Sequence, residues 1–457
     1  MSRKIMIALL IVLLLAAAAW MPAEQPDVRA VVHQHQSYPA EDPGWSGLDE
    51  AGVLSTHLPI VILHADGAEI PGIDPANTED LYCDYSILSA ADGHVRSDDV
   101  PVQHGRMAIS IRGNSSRTFA KKQYSIRLVD DRQMPQDRAL LDLPPESSWV
   151  LNGSYIDRAI IRNYLLYNLC SEFMDGYAPR CRLCEVMITD ADGVPRYQGV
   201  YTLMEKIKVS ESRLNLEPYD PQYPQTSFLL QMNAQTDKLM LRHLKPDSVY
   251  AYPFDLEYPD VEELTPEALH YINVRLLGFE KALYDASFTE NWEQLEERIN
   301  LDSFVDYYLV NEFFHNYDAG TRSTYIYEDL GGKIAIGPVW DFDGTFNNFF
   351  HMDIHSDLME MRYTLFYTYL VQNPRFMQRC IERYQQLRQS WFSDEYLLRY
   401  IDESAAYLGS AATRNSERWY HNGRESFDED IQKMKDFVIS RGEWMDSTFG
   451  QFSRIPF

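Results

Sequence analysis

The chain has 457 residues, enough for two or three domains or for one two-lobed enzyme with a large core. Apolar residues make up 45% of it, with 30 Tyr and 21 Phe, which is a globular composition and not a disordered one. A formal net charge of -27 excludes the basic footprint that a nucleic-acid backbone requires, so no nucleic-acid partner is expected.

Arg3-Lys4 and an apolar run from Ile5 to Met21 open the chain, and a polar, Pro-containing stretch follows. That order predicts a signal peptide or a signal anchor over residues 1–23. The run is slightly short for a membrane span, and its alanines offer small residues for cleavage. The protein is therefore expected to be exported, to the extracellular space or the cell envelope, with membrane contact only through this segment if it stays uncut. No Cys follows the run, which argues against a lipoprotein anchor. Residues 24–56 read as a polar linker, and His33 to His35 within them as linker, not as a metal site. Five cysteines, Cys83, Cys170, Cys181, Cys184 and Cys380, leave at least one thiol unpaired or paired between chains. Cys181 and Cys184 have zinc-like spacing, but no second pair completes four ligands. They read as a local disulfide or as two half-buried thiols.

Ordered structure is predicted from about Leu58, in the stretch LPIVILHADG, and strand-like alternation continues to about residue 130 as an antiparallel meander. In KKQYSIRL, alternation places Lys122, Tyr124, Ile126 and Leu128 on one strand face and Lys121 on the other, exposed. A helix is predicted in YIDRAIIRNYLLYNLCSEFM, where Ile160, Ile161, Tyr164, Leu165 and Leu169 recur at helical spacing. A strand, an Asp192-Gly193 turn and a second strand follow. From about residue 260 helical patterns dominate, and Asn300 caps one that carries Leu301, Phe304, Val305, Tyr308 and Leu309 on one face. Next come a loop, a strand over Thr324 to Tyr327, a Gly-Gly turn, a strand over Lys333 to Ile336, and the segment VWDFDGTF at 339–346. Helices continue to about residue 445.

The two acids in VWDFDGTF admit two enzymatic readings. In a haloacid-dehalogenase-type phosphatase the motif ends the first strand of a doubly wound sheet, and later strands complete the site. Here the motif comes three quarters of the way along, and the remaining residues read as helix, with no alternation of strand and helix to finish that site. A kinase needs a cation on the phosphates, a carboxylate near the acceptor hydroxyl and a carboxylate that holds Mg²⁺. The chain supplies these in order: Lys122 on a strand of the β-rich part, Asp318 after a helix, and Asp341 at the end of a hairpin 23 residues later.

Several ordered blocks then make a family resemblance specific. IRGNSSRTFAKKQYSIRL, WVLNGSYIDRAIIRNYLLYNL, YQGVYTLMEKI, LDSFVDYYLVNEFFHNYD and STYIYEDLGGKIAIGPVWDFDGTF resemble the CotH kinase-like family of atypical kinases, over most of residues 57–445. The resemblance implies an α+β, two-lobed protein-kinase-like fold. Residues 57–215 would form a β-rich nucleotide-binding lobe, and 216–457 a mainly helical lobe with the catalytic loop and the metal-binding motif. It implies ATP as donor, Mg²⁺ or Mn²⁺ as cofactor, and Ser/Thr of protein substrates as acceptor. Carried over by position, Asp318 resembles the catalytic-loop acid, Asp341 the metal-binding acid and Lys122 the phosphate-contacting lysine, with Lys121 as its fallback. Arg112 is a further phosphate contact, Glu205 or Glu172 the acid paired with the lysine, and Asp343 a candidate second metal ligand. The chain departs from ordinary kinases in having no Gly-x-Gly-x-x-Gly loop, Asn316-Tyr317-Asp318 in place of His-Arg-Asp, and Ser323 where a metal-binding Asn would stand. The alternatives are a non-catalytic surface or coat-associated binding protein with a degenerate nucleotide pocket, and another ATP-dependent transfer.

Overall fold

The computed structural model describes residues 31–34, 42, 44–72, 79–232, 240–241, 253–285, 289–348, 357–364, 366–420 and 426–452. The chain divides into two compact units, Met1–Val31 and Val32–Phe457. The expected signal segment lies outside the described residues, as do His35 and most of residues 24–43. Within the stretch read as linker, β1 (Gly47–Leu48) and β2 (Leu54–Thr56) form a small sheet with β5 (Val95–Arg96).

The β-rich part is a closed barrel of seven strands: β3 (Ile60–His64), β4 (Leu81–Leu88), β6 (Gln103–Ile111), β7 (Tyr124–Val129), β10 (Ser148–Asn152), β11 (Cys181–Thr189) and β12 (Pro195–Glu205). Neighbours β3-β4-β6-β7 pair antiparallel in sequence, as the alternating pattern predicts. A parallel pairing of β3 with β11, Val61 against Val186, closes the barrel together with β10 between β7 and β12. Alternate side chains fill its interior: Ile109, Leu128, Trp149, Leu151, Val186 and Leu203 are all buried there. β8 (Arg138–Leu140) and β9 (Leu143–Glu146) pair beside it.

A second sheet of five strands carries the hairpin that ends near VWDFDGTF. It has the order β14 (Met240–Leu241), β15 (Phe254–Tyr258), β13 (Phe228–Met232), β16 (Thr324–Glu328), β17 (Ala335–Ile336). Among the described residues there are nine α-helices: α1 (Arg162–Phe173), α2 (Pro266–Tyr284), α3 (Trp292–Glu296), α4 (Leu301–Phe313), α5 (Tyr367–Leu370), α6 (Pro374–Arg388), α7 (Asp394–Leu408), α8 (Ser410–Trp419) and α9 (Phe427–Phe452). Their starts follow from side-chain caps: Thr265 and Asn373 cap helices that begin with Pro, Ser393 caps α7, and Asn300 caps α4 as expected by accepting from the Ser303 N–H at 3.2 Å. None of these helices is long and apolar enough to cross a membrane.

The expected α+β class holds, and the β part is a barrel. Ile160 and Ile161 precede α1 instead of lying on it, and Ile160 has φ +64°. The expected strand alternation starts only at Tyr124, so it does not govern the two lysines before it. Lys121, expected exposed, is fully buried, and Lys122 is partly exposed. All five cysteines are buried free thiols, so neither a local disulfide nor half-exposed thiols describes Cys181 and Cys184.

Candidate active site

Two loops bring the predicted acids together. The first follows α4: after Phe314 the chain turns at His315, and Asn316-Tyr317-Asp318 leads into a turn closed by the Arg322 N–H donating to the Asp318 carbonyl at 3.0 Å. The second follows the β16–β17 hairpin and carries Trp340 to Asn348. The loops are joined directly: the Phe346 N–H donates to the Phe314 carbonyl at 2.8 Å, His315 Nδ1 lies 3.2 Å from Asn347 Oδ1, and Asn316 Nδ2 donates to the Asp341 carbonyl at 3.3 Å.

Asp341 sits in the left-handed region at φ +65°. Ser323 Oγ donates to its Oδ2 at 3.3 Å. The residue is exposed to solvent. Loss of water pushes its carboxyl above the usual aspartate value, the charge of Asp318 pushes it further, and Arg112 opposes both. Burial likewise raises the Asp318 carboxyl, against the Arg322 guanidinium 3.6 Å away. Arg112 lies over the Trp340 ring at 5.6 Å. Burial lowers its affinity for its proton, and Tyr325 and Asp341 offset this. Thus Asp318, Asp341 and Arg112 form one electrostatic cluster.

Asp343 is buried behind this cluster. Asn163 Nδ2 donates to its Oδ1, and Asn152 also bonds its carboxylate. Burial, then the charges of Asp341 and Asp157, push its carboxyl well up. Beneath it lies an ion cluster that no local pattern announces. Arg162 donates from Nη1 to Asp157 Oδ1, from Nη1 and Nη2 to Asp430 at 2.7 and 2.8 Å, and from Nε to the Thr345 carbonyl at 3.0 Å. This arginine ties α1, α9 and the second loop together.

The lysine positions separate. Lys122 Nζ donates to the Arg117 carbonyl at 2.8 Å and so shapes the turn after Arg112-Gly113-Asn114. Lys121 Nζ donates to the Val200 carbonyl and to Asn415 Oδ1 at 2.8 Å, with the Tyr201 ring 4.6 Å away. Burial holds this ammonium down to about 7, against the charges of Cys184, Asp157 and Asp343. Two glycines make room for it. A Cβ on Gly153 would lie 2.7 Å from the Lys122 carbonyl and 3.4 Å from Lys121 Cγ, and one on Gly199 would lie 2.4 Å from Asn415 Oδ1. Glu205 pairs with neither lysine: Arg180 holds it at 2.7 Å, and the Tyr177 hydroxyl donates to it at 3.0 Å. Glu172 is partly buried, and burial alone pushes its carboxyl up, with no lysine among the causes.

Among the described residues, no group of three or more His, Cys, Asp or Glu is assembled around a common metal position. Surface cavities bounded by Trp292, Leu301 and Pro374, and by Pro266, Tyr271 and Val274, are lined by none of the acids above. A family model described as CotH kinase protein matches residues 109–445. No curated protein shows significant similarity to the chain.

Proposed function

We propose that this chain, which belongs to the CotH kinase protein family, is a metal-dependent phosphotransferase that moves the terminal phosphate of ATP to Ser or Thr hydroxyls of protein substrates. The observation that carries the reading is the joining of the Asp318 loop to Asp341, through Asn316 Nδ2 to the Asp341 carbonyl and Ser323 Oγ to its Oδ2, each at 3.3 Å, with the Arg112 guanidinium over the adjacent Trp340 ring. In this reading the barrel is the nucleotide-binding lobe and the helical part the second lobe. The Arg3-Lys4 pair and the run from Ile5 to Met21 support export.

The donor set fits Mg²⁺ or Mn²⁺. Magnesium is held by one or two carboxylates plus substrate phosphates and water, and Asp341 offers hard, solvent-exposed oxygens. Asp343 is the poorer second ligand, because Asn163 and Asn152 already occupy its carboxylate. Such an ion neutralises charge on the phosphate oxygens during transfer.

Asp318 takes the proton of the acceptor hydroxyl. The acceptor oxygen bonds to the γ-phosphorus, the bond from that phosphorus to the β-phosphate bridging oxygen breaks, and ADP leaves. Burial keeps the Asp318 carboxylate a stronger base than a solvated one. Arg112 presents a planar, permanently charged group suited to phosphate oxygens. Lys122 contributes by holding the turn at Arg117, and Glu205 by anchoring Arg180.

Thermal unfolding with MgCl₂ or MnCl₂ and ATP, together with transfer from γ-labelled ATP to casein, tests the reading. Wild type should gain about 2.7 kcal/mol at a hundredfold excess of ligand over its dissociation constant. Asp341→Ala should fold, lose most of that gain and transfer no label. A wild type that neither shifts nor transfers with either metal overturns it.

A further inference from the structure

We infer that Tyr167 and Asn163 of helix α1 are positioning residues that hold the Asp341 carboxylate in place for a divalent cation, an inference that rests on the phosphotransferase reading. The two side chains stand four residues apart, so they share one face of the helix, one turn apart. Each accepts a backbone N–H from consecutive residues of the loop: Asp341 N–H donates to the Tyr167 hydroxyl at 3.1 Å, and Phe342 N–H donates to Asn163 Oδ1 at 2.8 Å. One helix face thus reads two successive peptide groups. Asn163 Nδ2 reaches past them to Asp343 Oδ1, so its amide is used at both ends.

The contact falls where the loop needs support. Asp341 has φ +65°, a conformation that costs an L-residue free energy even though Asp tolerates it better than most. No regular ladder bond holds it there: β17 ends at Ile336, five residues earlier. Both α1 side chains are buried, and the Tyr167 ring packs between Trp340 at 6.1 Å and Phe342 at 5.4 Å. The helix itself is fixed by Arg162, whose guanidinium joins Asp157, Asp430 and the Thr345 carbonyl. A turn of helix anchored on that ion cluster therefore forms a rigid template under the acid and its left-handed backbone.

Tyr167→Phe is the decisive variant, since it removes one hydroxyl acceptor and leaves the ring packing. Titration with MnCl₂ in the presence of ATP, followed by electron paramagnetic resonance of free Mn²⁺, reads the effect without any turnover. The variant should bind Mn²⁺ about tenfold more weakly, the effect of roughly one hydrogen bond. Its unliganded melting temperature should stay within a few degrees of wild type. In an Asp341→Asn background the same change should have no further effect on Mn²⁺ affinity, because the group it positions is gone. Asn163→Ala, if folded, should weaken binding in the same direction. Unchanged Mn²⁺ affinity in Tyr167→Phe, or an equal loss in the Asp341→Asn background, overturns the inference. A wild type that binds no Mn²⁺ with ATP overturns the phosphotransferase reading itself.

Discussion

Ser323 Oγ donates to Asp341 Oδ2 at 3.3 Å from a backbone held at φ +48°. Its neighbour Arg322 addresses the other acid, Asp318, at 3.6 Å, so two consecutive residues serve the two carboxylates. The left-handed region is costly for Ser and more tolerable for Asn. Ser323→Asn should therefore stabilise the unliganded protein, by about 0.5 kcal/mol as a fraction of the left-handed penalty. It should also add an amide oxygen next to Asp341, the kind of ligand that kinases use for a second ion. Urea unfolding measures the first effect, and Mn²⁺ stoichiometry with ATP the second. A less stable variant with unaltered stoichiometry would mean that the Ser323 hydroxyl is better suited to this turn than an amide.

Asp318 is the proposed base, and its replacement should separate binding from transfer. Asp318→Asn should keep the shift in melting temperature that metal and ATP cause, and lower kcat by about 10²- to 10⁴-fold. Burial raises this carboxyl, so it remains protonated, and useless as a base, to a higher pH than a solvated aspartate would. The acid limb of the wild-type rate profile should accordingly lie above the usual aspartate range. Near-full transfer by Asp318→Asn would assign this acid to the turn that Arg322 closes.

Arg162 stands at the junction of α1, α9 and the Asp341 loop, with Asp157 and Asp430 as its counter-charges. All three are buried. Removing one member of a buried ion cluster leaves an uncompensated charge and costs about 3–5 kcal/mol. Arg162→Met strands two carboxylates and should approach or exceed that range in urea unfolding. Asp430→Asn leaves Asp157 as the partner of Arg162 and should cost less. Equal, small effects from both would show that water reaches the cluster and screens it.

Local chemistry decides which features are legible in the sequence. Asn300 announces the start of α4 because its side chain caps its own helix, and the turn at Asp192-Gly193 forms between the adjacent strands β11 and β12. Asp318 and Asp341 can be picked out because each follows a recognisable element. The barrel closure is not legible, since β3 and β11 are far apart in sequence and their parallel pairing leaves no short-range signal. The same holds for Arg162 with Asp430 and for Lys121 with Asn415, partners that only the tertiary fold brings together. Alternation puts Lys121 on the wrong side because it does not extend before the first residue of β7, Tyr124. Asn163 and Tyr167 carry no distinct signal, because the same helix also holds Arg162, Tyr164, Asn168, Ser171 and Glu172, and two more polar side chains four residues apart read equally well as surface.

Glu312 provides a stability test that leaves the candidate site intact. It is fully buried on α4, where it accepts the Met361 N–H at 2.9 Å, and Arg441 approaches it only to 4.0 Å. Burial outweighs that distant cation and pushes the carboxyl from its ordinary 4.5 up to about 7. Below pH 4.5 both the folded and the unfolded chain hold this proton. Between 4.5 and 7 the folded chain retains it while the unfolded chain releases it, so the contribution to stability falls as pH rises, and above 7 the loss is complete. Over that window the loss amounts to about 3 kcal/mol, at 1.36 kcal/mol per unit. Glu312→Gln keeps an acceptor for Met361 and has no proton to lose. In urea unfolding the variant should therefore gain on wild type by about 3 kcal/mol between pH 5 and pH 8. A constant difference between the two proteins across that range would mean that Arg441 keeps Glu312 ionised in the folded state.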